Sequence, residues 1–553
     1  MPLFSVLSPT ERLALDDQHD ALLRRALELR KVMNAGNIAV ILPEDVLLSI
    51  FKFYAAATCR PCSHGWLVAS WICERWRTII LHSATLWTHI LLNNMVAVEC
   101  YLLRSQAALL HVSGSLMRFS GYGEEHALQQ AESLAVWTAA TEHSARIREL
   151  EMTIDFGLAE QHIFKSGLQH ATFPQLRRLV IGAIQIYKHA PADGDKKLPA
   201  FLRGGGEMGH LEEVATTDIP LSLVTTLFST KLRKLHIGVN GCTRLPGSIS
   251  SDRFWSELQR LSNLEELSIA NFPSLSRPVD ADVSHTPISL PALKKFAVHW
   301  EDISVDSATY FLNRIALPAG CSLNISQINP NTTILNAEAF YASRKAFYMA
   351  VSRSLAPHEP STPLLTLHLA RFEKYEQRLS FWTEDPTRTG LSPDHSTMLR
   401  LGLHPHLEVI QRDRSASEMR ELLRLLPLHA VECLVLDGES VESWNFNVST
   451  PRVRVLVVSL NEPGTKLDNF AARLERSTWL SALEELRLVG EYMASTSATW
   501  ADHLRRGLQK RFRTSPDLPR LRLIVDDPEL LCEISTWAEG ADAFVQSVEC
   551  VKC

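Results

Sequence analysis

Two cysteines, Cys59 and Cys62, stand two residues apart with His64 just beyond, the spacing of zinc ligands, and Cys550-Val551-Lys552-Cys553 repeats the Cys-x-x-Cys spacing near the other end. A structural zinc site wants four such ligands. The two pairs lie at opposite ends of the sequence, and neither has a second local pair, so they read as loop and terminal cysteines. The last four residues also have the length of a prenylation tail, but Lys552 sits where an aliphatic residue is preferred. His404-Pro405-His406 has no carboxylate or cysteine beside it and reads as a surface turn, and Gly204-Gly205-Gly206 follows no clear strand and reads as a loop. The chain has no Gly-x-Ser-x-Gly elbow, no Gly-x-x-x-x-Gly-Lys phosphate loop and no His-Glu-x-x-His helix. No catalytic residue, metal or cofactor is therefore expected, and the chain does not read as an enzyme.

The remaining expectation is a binding protein, and composition narrows its partners. With 553 residues, 46% hydrophobic and 21% charged, the chain is long enough for a small module plus a large or elongated body. A net charge of -6 and a pI near 6.4 supply no basic field for phosphate backbones, so nucleic acid is not an expected partner. The run between Arg77 and Glu99 is interrupted by His82, His89, Asn93 and Asn94, so no membrane span is expected. The first residues lack the basic and apolar regions of a signal peptide. Ten scattered cysteines fit a reduced interior, cytoplasmic or nuclear, where the sequons at Asn324, Asn331 and Asn447 have no use.

The first element to place is a helix. Ser8 and Glu11 are spaced as a capping box with Pro9 at the first helical position, and Leu15, Leu22 and Leu29 follow at heptad spacing with Ala26 and Met33 beside them. His19 interrupts the stripe, so packing on the next module is the expectation and a short coiled-coil seam the alternative. A second helix opens at Leu42-Pro43-Glu44-Asp45, with acids favouring its N-terminus and Leu47, Ile50, Phe51 and Tyr54 on one face. After a loop, Trp71, Ile72, Trp76, Ile79 and Ile80 fall on a further helix, and a third segment ends at Leu86-Trp87. So many indoles in one small unit imply that some apolar surface meets a partner.

Leu42-Pro43-Glu44 with Leu47, Leu48, Ile50 and Phe51, then Ile72-Cys73-Glu74-Arg75-Trp76-Arg77, then Leu86-Trp87, together resemble the F-box in the form common in mushroom-forming fungi. Ala84 stands where that pattern usually has Pro, and Glu74 where it is commonly basic. The resemblance implies docking on a Skp-type adaptor, which bridges to a cullin and a RING subunit. It implies that Leu42, Pro43, Leu47, Ile50, Phe51 and Trp76 form or support the docking face, with Leu47, Ile50 and Phe51 expected as an exposed or adaptor-facing stripe.

Beyond residue 145 a triplet recurs, apolar, two residues, apolar, one residue, apolar: Ile147, Leu150, Met152; Leu176, Leu179, Ile181; Leu232, Leu235, Ile237; Leu264, Leu267, Ile269; and Leu293, Phe296, Val298. Later copies are Val431, Leu434, Leu436; Val453, Leu456, Val458; Leu483, Leu486, Leu488; and Leu518, Leu521, Leu523. The last two positions alternate as in a strand, and Leu221–Phe228, Trp255–Leu261 and Met419–Leu426 have helical spacing between strands. The fold class expected is α/β: a small all-α F-box module followed by an irregular leucine-rich-repeat-like solenoid with a curved parallel sheet. The organisation reads as an N-terminal helix (1–36), an F-box-like module (37–92), a helical linker (93–145) and one repeat body (146–553). The loops 188–206 and 383–396 read as solvated connections. The implied role is the substrate-recognition subunit of a Skp/cullin/F-box ubiquitin ligase, the body binding an unknown protein. The alternative is a scaffold outside any ligase, its F-box-like unit purely structural.

Overall fold

The recurring triplets become strands. In a computed structural model of the chain, their last two positions lie on consecutive β-strands with side chains turned inward, and all members are buried except the half-buried Leu518. The structure describes residues 8–34, 41–58, 65–116, 124–155, 171–184, 210–219, 221–238, 251–270, 287–300, 305–318, 321–327, 366–373, 376–382, 407–411, 431–437, 452–459, 480–489, 498–525, 528–535 and 544–550, with a few single positions between. The architecture is mixed α/β with a large, mainly parallel sheet. Chain contacts divide it into two units, residues 1–186 with 195–210, and residues 187–194 with 211–553. That division falls inside what the sequence reads as one body.

The first unit opens with α1 (Pro9–Asn34), capped as expected: Glu11 N–H donates to Ser8 Oγ at 3.3 Å while Ser8 N–H donates to Glu11 Oε2 at 2.8 Å. Its described side chains are all exposed, so it does not pack on the next module as its stripe suggested. Then come α2 (Glu44–Thr58), a 3-10 segment (Gly65–Trp71), α3 (Glu74–His82), a second 3-10 turn (Ala84–Trp87) and β1 (His89–Leu92). The residues after it form α4 (Met95–Arg104), β2 (Leu110–Leu116), α5 (Glu124–Thr141), β3 (Ile147–Asp155) and β4 (Arg178–Ile184). The segment 93–145 is thus not simply helical, because it contributes β2. The parallel ladder runs β1–β2–β3–β4 and begins well before residue 146. Arg146, at the entry to β3, donates to Leu102 O at 3.1 Å and Ser105 Oγ at 3.0 Å and also reaches Gln106 O, satisfying carbonyls at the end of α4.

In the second unit β5 (Glu213–Thr217), β6 (Lys234–Gly238), β7 (Glu266–Ala270), β9 (Lys295–Trp300) and β11 (Ser322–Gln327) are successive parallel neighbours, with β8 (Ile288–Ser289) and β10 (Ile315–Ala316) a separate short pair. Leu235 aligns with Leu267 and Phe296, and Ile237 with Ile269 and Val298, so the triplet sets the register. Leu211, Val214 and Thr216 form a further buried copy on β5, hidden in the sequence by the threonine. β12 (Thr366–Glu373) and β13 (Glu376–Trp382) form an antiparallel hairpin that inserts between β14 (Leu407–Gln411) and β15 (Cys433–Asp437), a departure from an all-parallel sheet. β16 (Val455–Ser459), β17 (Glu485–Val489), β18 (Leu521–Val525) and β19 (Val545–Cys550) resume the parallel order. The final copy is offset, since Leu523 and Val525 pair with Leu486 and Leu488.

Helices fill the connections: α6 (Leu221–Val224, continued as a 3-10 turn to Leu227), α7 (Ser251–Gln259), α8 (Val305–Arg314), α9 (Ala498–Thr514) and α10 (Pro528–Ile534). The helical reading of Met419–Leu426 lies largely outside the described residues. α7 and α8 meet through aromatics, Trp255 to Phe311 at 4.8 Å between ring centres and Phe254 to Phe311 at 6.1 Å, and Trp255 Nε1 donates to Tyr310 Oη at 3.2 Å.

Gly114 marks the closest approach in the first unit. A Cβ there would stand 2.6 Å from Leu92 Cβ on the neighbouring strand, while one at Gly182 would meet nothing nearer than 3.8 Å. Gly114→Ala should therefore lower the opening free energy of β1 and β2 amides, read by hydrogen exchange, by about 1–3 kcal/mol. Gly182→Ala should stay within about 0.5 kcal/mol of wild type.

Candidate functional site

The helical module is built around a closed aromatic core. Cys73, with φ -154°, caps α3 by accepting from Trp76 N–H at 3.5 Å, and Arg75 Nη2 donates to Leu42 O at 2.8 Å, tying α3 to the chain that enters α2. Phe51 meets Trp76 edge to face at 5.0 Å, and Trp66 meets Trp87 at 5.2 Å. Trp87 in turn meets Tyr101 at 4.9 Å, donates from Nε1 to Ile80 O at 2.8 Å and lies under the Arg104 guanidinium at 4.8 Å. These contacts bind the module to α4.

Of the six residues assigned to the docking face, the structure buries Leu47 and Phe51 and sets Trp76 against Phe51. Leu47 is 0% and Phe51 2% exposed, Trp76 and Leu42 are half-buried, and Pro43 and Ile50 are exposed. The expected stripe of Leu47, Ile50 and Phe51 is thus split: Leu47 and Phe51 lie one position round the helix from Val46, Ile50 and Phe53. Those three, spaced i, i+4, i+7, share one face of α2, and that face is exposed, with Phe53 at 78%. The 3-10 segment packs beside α2 and adds Val68, Trp71 (76% exposed) and the following Ile72. The sequence could not choose between the faces, since both are apolar; only the neighbours that cover one of them decide it.

A second surface lies on the open face of β5, β6, β7, β9 and β11. Here a groove of about 370 Å³ is lined by Glu213, Lys234, Glu266 and Lys295 in one row and Ala215, His236, Ser268 and Ala297 in the next. Small side chains form its floor. The Lys234 and Lys295 ammonium groups stand 3.6 and 3.7 Å from Glu266, and burial holds the His236 imidazole below its usual pKa, hence neutral at physiological pH. Along the rim Arg233 forks onto Glu265 at 2.8 and 2.5 Å and Lys294 reaches the same carboxylate at 2.9 Å.

Among the described residues no group of three or more His, Cys, Asp or Glu could hold a metal ion, and no helix is long and apolar enough to cross a membrane. Cys59, Cys62, His64, Cys553, His404 and His406, together with the glycines 204–206 and the loop 383–396, lie outside the described residues. No protein-family model matches the chain, and no curated protein matches it in sequence.

Because Phe51 belongs to the core, Phe51→Ala should destabilise the first unit by about 3–5 kcal/mol in chemical denaturation. Phe53→Ala, on the exposed face, should change stability by no more than about 0.5 kcal/mol. Equal effects of the two substitutions would contradict this assignment of faces.

Proposed function

We propose that the chain is a substrate receptor of a Skp/cullin/F-box ubiquitin ligase, with residues 37–92 as the F-box and the triplet-bearing strands as a leucine-rich-repeat-like solenoid that holds a protein substrate. The observation that carries this reading is the exposed apolar face of Val46, Ile50 and Phe53 with Trp71 and Ile72, on a module whose core is already closed. Large exposed aromatics on a small helical unit cost solubility unless a partner covers them. An α-helical face with anchors at i, i+4 and i+7 is the geometry that enters an apolar groove on another protein. In this reading Leu47, Phe51 and Trp76 support the face, while Pro43 and Ile50 take part in it. The receptor performs no bond chemistry: ubiquitin is transferred by other subunits, and the receptor raises the effective concentration of substrate lysines near them.

The grooved sheet face, rigid and bordered by alternating charges, is where a substrate segment would lie. Its mixed signs suit a polar protein surface better than a polyanion.

The test is a pull-down of the purified full chain with a Skp-type adaptor, comparing wild type with a Phe53→Asp, Trp71→Asp double variant whose circular dichroism matches wild type. Wild type should bind, and the variant should lose about 100-fold or more in affinity, the scale of two aromatic anchors. Wild type that does not bind, or a variant that binds equally well, would overturn the proposal and leave the module as a structural cap on a repeat scaffold.

A further inference from the structure

Helix α1 runs for 26 residues with its described side chains exposed, among them the stripe Leu15, Leu22, Ala26, Leu29 and Met33 and the flanking Leu23. A lone helix in water is held by propensity alone, and most helical stability in proteins comes from packing an apolar face. Among the described residues of the first unit nothing covers this one. The charges indicate what does. The first half of α1 carries Glu11, Asp16, Asp17 and Asp20 against one cation, Arg12; the second half carries Arg24, Arg25, Arg30 and Lys31 against one anion, Glu28.

We infer that α1 is a dimerisation element that pairs antiparallel with α1 of a second copy of this chain. A two-fold axis through Leu22, the middle of the helix, sets Leu15 of one copy opposite Leu29 of the other and Leu22 opposite Leu22. It also lays the acidic half of each copy along the basic half of the other: Asp20 faces Arg24, Asp17 and Asp16 lie two positions from facing Arg25 and Arg30, and Glu28 opposite Asp16 is the one acidic mismatch. Parallel pairing would satisfy the leucines equally well but would set acid against acid and base against base, which charge pairs beside a helical seam oppose. The surface is complementary to itself under a two-fold operation, so the contact is isologous and closes at two copies. His19, four residues after Leu15 and three before Leu22, occupies a position of the stripe itself and enters the seam as a polar residue, its Nδ1 3.6 Å from Asp20 Oδ1.

The experiment is the solution mass of the full chain by light scattering at tens of micromolar. The expected mass is twice 62.1 kDa. Leu22→Asp with Leu29→Asp should give the monomer mass, with any loss of helical circular dichroism no larger than the contribution of the 26 residues of α1, since these side chains are exposed in the single chain. Asp16→Lys, Asp17→Lys and Asp20→Lys together should also give monomer, and adding Arg24→Glu, Arg25→Glu and Arg30→Glu should restore the dimer. Orientation is read by mild oxidation: a mixture of Leu15→Cys and Leu29→Cys chains should cross-link more than either alone. A monomeric wild type, a dimer that survives the leucine substitutions, or preferential cross-linking of Leu15→Cys with itself would each overturn the inference.

Discussion

The second unit stands on strand register, and two kinds of residue divide the work of setting it. The apolar positions of each triplet, such as Leu235, Leu267 and Phe296 or Leu456 and Leu486, align across the ladder and are buried at every step. A slip of one residue would turn each such side chain to the open face, at about 1.5–3 kcal/mol apiece. That term fixes where along its length a strand sits, but every strand carries a similar apolar pattern, so it cannot say which strand sits beside which. The charged positions can. Glu212-Glu213, Arg233-Lys234, Glu265-Glu266 and Lys294-Lys295 enter four successive strands with alternating sign. Each exposed pair contributes at most about 1 kcal/mol, yet placing β5 directly against β7 would set four carboxylates together. The ion pairs are weak as glue and effective as selectors of neighbours.

The same separation explains what the sequence disclosed. Triplets of Leu, Ile and Val show clearly because burial in a parallel sheet demands large apolar side chains at fixed spacing. Copies in which a small or polar residue serves the same position are silent: Thr216 on β5 and Gly114 on β2 each break the written pattern while β2 and β5 remain in the ladder. Gly114 is small because Leu92 of β1 fills its space, a reason that exists only after the strands have paired. The antiparallel hairpin of β12 and β13 was not legible either, since alternation within a strand does not state the direction of its neighbour.

In the candidate site the legible part was that the helical module carries more large apolar residues than its core can hide, and the illegible part was which of them face outward. α2 has apolar residues at Val46, Leu47, Ile50, Phe51 and Phe53, more than one face's worth. Leu47 and Phe51 turn inward because Trp76 offers an aromatic edge to Phe51. Val46, Ile50 and Phe53 are left outside as the consequence. A similar ambiguity held for α1, where an apolar stripe signals burial without naming the surface that provides it.

Two exposed apolar surfaces on one unit pose a problem of solubility that their symmetry resolves differently. The face of α2 carries Glu44 and Asp45 at one end and a single cation, Lys52, and lacks the acidic and basic halves that mark α1. The α1 stripe is flanked by charges that complement their own reversal, and a two-fold contact consumes it completely at two copies. Were α1 instead to accept a copy in any offset register, the free ends would recruit further chains and the assembly would grow. The acidic and basic halves disfavour large offsets, which would bring the acidic halves of two copies, or the basic halves, over one another. Charge segregation along α1 thus does for the association of chains what charge alternation does for the order of strands: it adds little affinity and removes the alternatives.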